Sequence, residues 1–280
     1  MFELGSLNTT TFSWHAALSL CHASQLAYSD EQTVLDTAAD WGFTNTRYLA
    51  DDETQGFFAS ADGIGVLCFR GTESVGDWLT NIQIINKKRP YGRVHRGFYK
   101  AFKDVRGQVL AALSGQSLDK LFFTGHSLGG ALATIAMPEL ESTAVAYKAA
   151  YTYGQPRVGK KSFQDRFADT FGDVFYRVAN KRDIVPKVPP TYRHVGQYLQ
   201  LTDEEGLEGI VTEPPAYTAA QFAELQAQIL EAIERYEDPE EGLEAPSIPE
   251  DEYIEGIIPG VEAHKLELYI ERLRAKVDGH

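Results

Sequence analysis

Apolar residues recur along this chain in two alternating periods. Phe12, Ala16, Leu20, Ala23 and Ala27 fall near helical spacing, which predicts an amphipathic helix over Thr11–Tyr28. Gln55–Ser60 and Ile64–Phe69 are strand-like runs joined by Ala61-Asp62-Gly63, which predicts a hairpin. Phe98–Leu113 has helical periodicity, with Gly115 as a stop. Leu121–Thr124 reads as a short strand and Ser127–Leu140 as the helix after it. Ala144–Tyr153, Lys160–Phe171 and Val174–Ala179 then give strand, helix, strand. Such alternation predicts an α/β fold, with helices packed on a mostly parallel central sheet.

Residues 203–260 break this pattern. Thr218-Ala219-Ala220-Gln221 is a capping box, and Phe222, Leu225, Ile229, Ile233 and Tyr236 behind it form one apolar helical face. Glu237–Pro259 carries four prolines and many acids, so it is expected to be an irregular, mobile connection. An apolar stripe of this kind usually packs on core; the alternative is a cap over a site. The expectation is a single domain over residues 1–280, with 203–260 as an acidic helical insertion or cap. No internal repeat is visible.

The chain has 280 residues, 43% of them hydrophobic, enough for one sizeable core. No stretch approaches the roughly 18 apolar residues of a membrane span, so no integral membrane segment is expected. The N-terminus lacks a basic region and an uninterrupted apolar one, so a cytoplasmic location is expected, or a secreted one if a leader has been removed. Cys21 and Cys68 do not make a disulfide framework, and no Cys/His cluster suggests a metal. Residues 1–202 hold 21 Lys/Arg and 19 Asp/Glu, whereas 203–280 hold 5 and 21. That distribution argues against nucleic acid as a partner and against a surface that docks on anionic lipid by charge.

Residues 125–130 read Gly-His-Ser-Leu-Gly-Gly between a predicted strand and a predicted helix. This is a G-x-S-x-G turn in the context that gives it meaning, with Ser127 in a tight bend and backbone N–H groups at a helix start. A serine hydroxyl needs a base, and the base an orienting acid. Asp183 follows the strand Val174–Ala179 on a loop and is the acid candidate. His194, His264 and His280 lie downstream of Ser127; His280 is the last residue. Spacing leaves His194 and His264 open, with a modest preference for His264 at the start of the last helix.

Several ordered segments resemble the class 3 lipases, the fungal-lipase-like branch of the α/β-hydrolases. They are Gln25-Leu26-Ala27-Tyr28, Phe69-Arg70-Gly71-Thr72, Asp77-Trp78 with Asn81, and Val94-His95-Arg96-Gly97-Phe98. The Gly-His-Ser-Leu-Gly-Gly elbow, Tyr153-Gly154-Gln155-Pro156-Arg157-Val158-Gly159 and Asp183-Ile184-Val185-Pro186 complete the set. The resemblance implies an α/β-hydrolase fold, with helices on both faces of the sheet. It implies Ser127 as nucleophile, Asp183 as acid and His264 as base, and gives His194, His126 and His95 structural roles. It implies Thr72 and the N–H of Leu128 as the oxyanion site. A lid is implied over about residues 73–86, with Trp78, Leu79, Ile82, Ile84 and Ile85 as an apolar face; the competing reading is a short helix fixed over the core by Asp77-Trp78. The stretch 203–260 is longer than the corresponding link in compact fungal members, which are secreted and disulfide-bonded.

The function these features lead to is hydrolysis of carboxylic esters, most simply acylglycerols, through an acyl-enzyme, without metal or organic cofactor. The substrate would be a lipid or other ester, met in some cases at an oil–water interface. A phospholipase A1 or a feruloyl-type esterase on the same fold is the near alternative, and a non-catalytic lipase-like scaffold the distant one. Oligomeric state is not legible in the sequence.

Overall fold

In the computed structural model, which describes residues 1–51, 54–72, 74–202, 214–237 and 247–279, the two periods become layers of one α/β fold. Helices α1 (Trp14–Leu26) and α2 (Glu31–Asp40) precede strands β1 (Asn45–Asp51), β2 (Thr54–Ala61) and β3 (Ile64–Phe69). A short helix α3 (Val75–Asn81) and a small hairpin of β4 (Asn86–Arg89) and β5 (Gly92–His95) follow. Helix and strand then alternate through α4 (Arg96–Leu113), β6 (Lys120–His126), α5 (Leu128–Glu139), β7 (Tyr147–Tyr153), α6 (Lys161–Phe171), β8 (Phe175–Asn180) and β9 (Gln197–Leu201). Helices α7 (Ala219–Glu237), α8 (Glu250–Ile257) and α9 (Leu266–Asp278) come last.

The main sheet has the order β1-β2-β3-β6-β7-β8-β9. The turn Asp62-Gly63, with both residues at positive φ, closes β2 on β3 as an antiparallel hairpin. From β3 onward every neighbouring pair is parallel. Strands β3 and β8 are buried at every position, as strands covered on both faces must be. One face carries α1, α2 and α9, through residues such as Leu20, Val34 and Tyr269. The other carries α4, α5 and α6, through residues such as Phe102, Ile135 and Phe167.

A third apolar cluster stands apart from the sheet. Leu79 of α3 packs there with Phe222, Leu225 and Ile229 of α7 and Ile254 of α8. Each such fully buried aliphatic side chain contributes roughly 1.5–3 kcal/mol. Helix α7 starts at the expected capping box: the Thr218 N–H donates to Gln221 Oε1 at 2.9 Å, and the Gln221 N–H to Thr218 Oγ1 at 3.2 Å.

The expectation of an irregular connection over Glu237–Pro259 needs correction. Glu237 ends α7, and Glu250–Ile257 is the helix α8; residues 238–246 lie outside the described residues. Glu250, Asp251 and Glu252 occupy the first turn of α8, where the helix dipole favours carboxylates. Helix α2 and strands β1 and β9 have no counterpart among the expected elements. In β1 only Leu49 is buried, so no alternation marks it in the sequence.

Phe69, His126, Tyr153 and Asn180 end four adjacent parallel strands at one edge of the sheet. The connections leaving that edge carry Gly71-Thr72, Ser127, Gly154 and Asp183.

Candidate active site

Bare backbone shapes the elbow. A Cβ on Gly125 would meet the Gly130 nitrogen at 2.8 Å, and one on Gly129 would strike the Phe69 carbonyl. With glycine at both positions, β6 can turn directly into α5 against the end of β3. Ser127, at the apex, has φ 56° and ψ −127°, outside the regions L-residues ordinarily occupy. Strain of this kind costs on the order of 1–3 kcal/mol and persists only where surroundings enforce it. Here the Ser127 N–H donates to the Tyr153 carbonyl at 2.9 Å, and the Gly130 N–H to the Ser127 carbonyl at 3.0 Å. The Ser127 side chain does not cap α5, which leaves its hydroxyl uncommitted to the helix. The N–H of Leu128, the first residue of α5, has no acceptor within the helix and lies at the positive end of its dipole.

Gly71 brings Thr72 beside this elbow. A Cβ on Gly71 would fall 2.8 Å from the His126 carbonyl oxygen and 3.1 Å from Ser127 Cβ. A Cβ on Gly71 would also collide with the Tyr28 hydroxyl, which bonds His126 Nδ1 at 3.0 Å. His126 Nε2 in turn donates to the His264 carbonyl at 2.8 Å, which makes Nδ1 the acceptor for the Tyr28 hydroxyl. Burial and the adjacent His264 push the His126 pKa well below its ordinary value, so the ring is neutral in this role.

Asp183 and His264 form a buried pair, with Nδ1 donating to Oδ2 at 2.8 Å. The carboxylate has two further donors: the Tyr269 hydroxyl on Oδ2 at 2.6 Å and the Val185 N–H on Oδ1 at 2.8 Å. Asn180 Nδ2 holds the backbone of the His264 turn by donating to the Ala263 carbonyl at 2.9 Å. The His264 ring also stands 4.4 Å from the His126 ring, centroid to centroid. Its Nε2 is buried and has no hydrogen-bond partner among the described residues. Gly154 links the parts: Tyr153 receives the Ser127 N–H, and a Cβ on the next residue would lie 2.6–2.9 Å from the His264 ring and Asp183 Oδ2.

Ser127, Thr72, Leu128, Asp183 and His264 thus converge on one sheet edge, whereas His194 does not join them. His194 Nε2 donates to the Pro186 carbonyl at 2.8 Å, and its own carbonyl accepts from Gln164. The apolar face expected of α3 divides. Trp78, stacked on Phe98, and Ile82 line a groove of about 620 Å³ that also touches Leu128. Leu79 points away from that groove and is fully buried against α7 and α8. Gln226 of α7 fixes the end of α3 by donating to the Leu79 and Thr80 carbonyls at 2.9 and 3.2 Å. Glu73 lies outside the described residues. Sequence reasoning missed Tyr269 and Asn180. Tyr269 shares a helical face with Leu266, Ile270 and Leu273 and reads as core; nothing in that spacing reveals a hydroxyl aimed at Asp183. Among the described residues no group of His, Cys, Asp and Glu could hold a metal ion.

Residues 66–193 match the family model described as lipase (class 3). This stretch, just under half of the chain, is similar to the class 3 lipases. The chain aligns with a lipase of Rhizomucor miehei at 32% identity over 151 residues, 49% of this chain and 41% of that protein. A secreted mono- and diacylglycerol lipase of Fusarium solani is 37% identical over 139 residues, again 41% of its length. The chain therefore aligns with less than half the length of the curated relatives it matches. A solved triacylglycerol lipase, described as having a serine protease triad as its catalytic centre, superposes with a TM-score of 0.58 at 27% identity. That superposition covers 67% of this chain and 80% of the other and supports the α/β-hydrolase fold of the class 3 lipases. No helix among the described residues is long and apolar enough to cross a membrane.

Proposed function

We propose that this chain is a serine carboxylic ester hydrolase acting on acylglycerols, with Ser127 as nucleophile, His264 as base and Asp183 as the acid that orients it. The observation that carries this is the buried His264–Asp183 pair, its outer imidazole nitrogen without a partner among the described residues, at the sheet edge that also holds the strained Ser127. His264 Nε2 would take the Ser127 proton as Oγ attacks the ester carbonyl, and Asp183 would hold the imidazolium. Thr72 and the Leu128 N–H would meet the oxyanion of the tetrahedral intermediate. His264 then protonates the leaving alcohol, and water repeats the sequence on the acyl-enzyme. The names of the relatives, lipase and mono- and diacylglycerol lipase, support the substrate class. Secreted relatives lend no support to the cytoplasmic placement expected from the N-terminus.

We read the whole chain as one hydrolase domain whose α7–α8 pair is a cap seated on α3. A fluorophosphonate probe tests the core of the reading: it should label the wild type at Ser127 and leave Ser127→Ala unlabelled. Turnover of p-nitrophenyl butyrate should fall on the order of 10⁴–10⁶-fold in Ser127→Ala with the fold retained. Wild-type turnover in that variant would end the assignment. Thr72→Ala should cost less, about 10- to 10³-fold, because the backbone donor survives.

A further inference from the structure

A cavity of about 520 Å³ lies where the loop after β8 meets the turn between α8 and His264. Lys181, Arg182 and Lys187, which flank Asp183 in the sequence, stand around it with Arg272 of α9. No carboxylate lines it among the described residues, in a chain of 26 Lys/Arg and 40 Asp/Glu. Lys181 and Arg182 are exposed, Lys187 is half-buried, and the three have no ion pair among the described residues. Lys187 instead holds its ammonium 5.4 Å from the Tyr217 ring centroid, and its carbonyl accepts the Tyr217 N–H at 3.0 Å. Tyr217, Ile184 and Pro259 give the cavity an apolar wall. Gly260, at φ 92°, lets the two segments close on each other, since a Cβ there would stand 2.5 Å from the Arg182 carbonyl oxygen. Ser127, Thr72, Leu128 and His264 do not line this cavity. Asp183 is buried behind it, and its charge reaches the wall: after burial, it is what pushes the Tyr217 hydroxyl pKa up. The cations are not the partners of Asp183, which takes its hydrogen bonds from His264, Tyr269 and Val185.

We propose that this cavity is a second binding site, separate from the elbow, for a small organic phosphomonoester. The dianionic phosphate sits among Lys181, Arg182 and Lys187, and a compact apolar body lies against Tyr217, Ile184 and Pro259. Three cations without an opposing acid call for an anion, and a cavity of this volume holds more than a bare phosphate. A ligand seated there touches both the loop that carries Asp183 and the turn that leads to His264, and ties the two together.

Calorimetric titration tests this by binding alone, whether or not any ester is cleaved. Phenyl phosphate should bind the wild type and Ser127→Ala alike, with a sub-millimolar Kd. Inorganic phosphate, which lacks the body, should bind about tenfold more weakly, and benzyl alcohol, which lacks the charge, should not bind detectably. Lys181→Gln/Lys187→Gln should weaken phenyl phosphate about tenfold, and Arg182→Gln alone about threefold. Lys87→Gln/Lys103→Gln removes the same charge from β4 and α4 and should leave the Kd unchanged. Saturation should slow amide exchange in both 181–187 and 259–264. No binding by the wild type up to about 10 mM overturns the proposal. Equal weakening in the two lysine pairs also overturns it, because the attraction would then be that of the whole surface. So does loss of binding in Ser127→Ala, which would place the ligand at the elbow. Binding of Ser127→Ala to phosphatidic acid vesicles without binding of phenyl phosphate overturns it too, because the cations would then read a lipid surface rather than fill a cavity.

Discussion

Gly154 sets a tolerance for the whole site. At φ 56°, with the His264 ring and Asp183 Oδ2 within 2.6–2.9 Å of where a Cβ would stand, it has no room for a side chain. Gly154→Ala should displace the His264–Asp183 pair and lower kcat by about 10²-fold or more, with a far smaller loss of fold. Esterase kinetics beside the circular dichroism of the variant check this; unchanged kcat would mean that the pair tolerates displacement. Gly154 was legible as part of an ordered motif, and Ser127, Asp183 and His264 as candidates for a triad in the order the resemblance implies. The tight approach that requires glycine was not legible, because the atoms it avoids arrive from residues 183 and 264. Tyr269 and Asn180 were hidden for the same reason: their polar atoms act on partners 86 and 83 residues distant in the chain.

At the scale of elements, α3 is held by its neighbours rather than by its own seven residues. Isolated helices of that length are unstable in water. Leu79 is buried against α7 and α8, and Gln226 accounts for two carbonyls at the helix end. Gln226→Ala should cost about 1 kcal/mol and speed amide exchange across Val75–Asn81 while β6 and β7 stay protected. Exchange mass spectrometry decides it; equal protection in α3 would show that Gln226 is not what holds it. Ile229→Asp, placing a carboxylate in the same cluster, should free α3 further. The capping box and apolar face of α7 could be read from local sequence, as could the hairpin and the strand–elbow–helix unit. Helix α8 could not, since Ile254 and Ile258 gain meaning only when α3 and α7 are beside them. Leu79 was expected with Trp78 and Ile82 on the apolar face of a lid, against the competing reading of a short fixed helix; its burial against α7 and α8 depends on residues more than 140 positions further along the chain, which local spacing does not reveal.

At the scale of the molecule, the parallel arrangement of β3, β6, β7 and β8 was implied by the alternation of periods, whereas α2, β1 and β9 lack strong periodicity. The histidines give the fold an acid limit. Burial lowers His95 to about 4 and His22, half-buried, also to about 4, while His126 and His194 lie well below their ordinary value. The unfolded chain binds those protons near pH 6.5 and the native chain refuses them. Stability is therefore fully present above about pH 6.5 and falls toward pH 4, by up to about 1.4 kcal/mol per histidine per pH unit. Calorimetry at pH 7, 5.5 and 4.5 should show a steadily falling Tm, and a flat Tm would contradict the neutral, buried state of these rings. The strand order has another consequence. Ser127 and Asp183 follow different strands, β6 and β8, His264 lies on the segment after the last strand, and the His264–Asp183 contact spans 81 residues of chain. No fragment short of the assembled sheet can present all three, so reactivity at Ser127 is a reporter of global folding: in a urea titration, covalent labelling and backbone ellipticity should vanish at one shared midpoint.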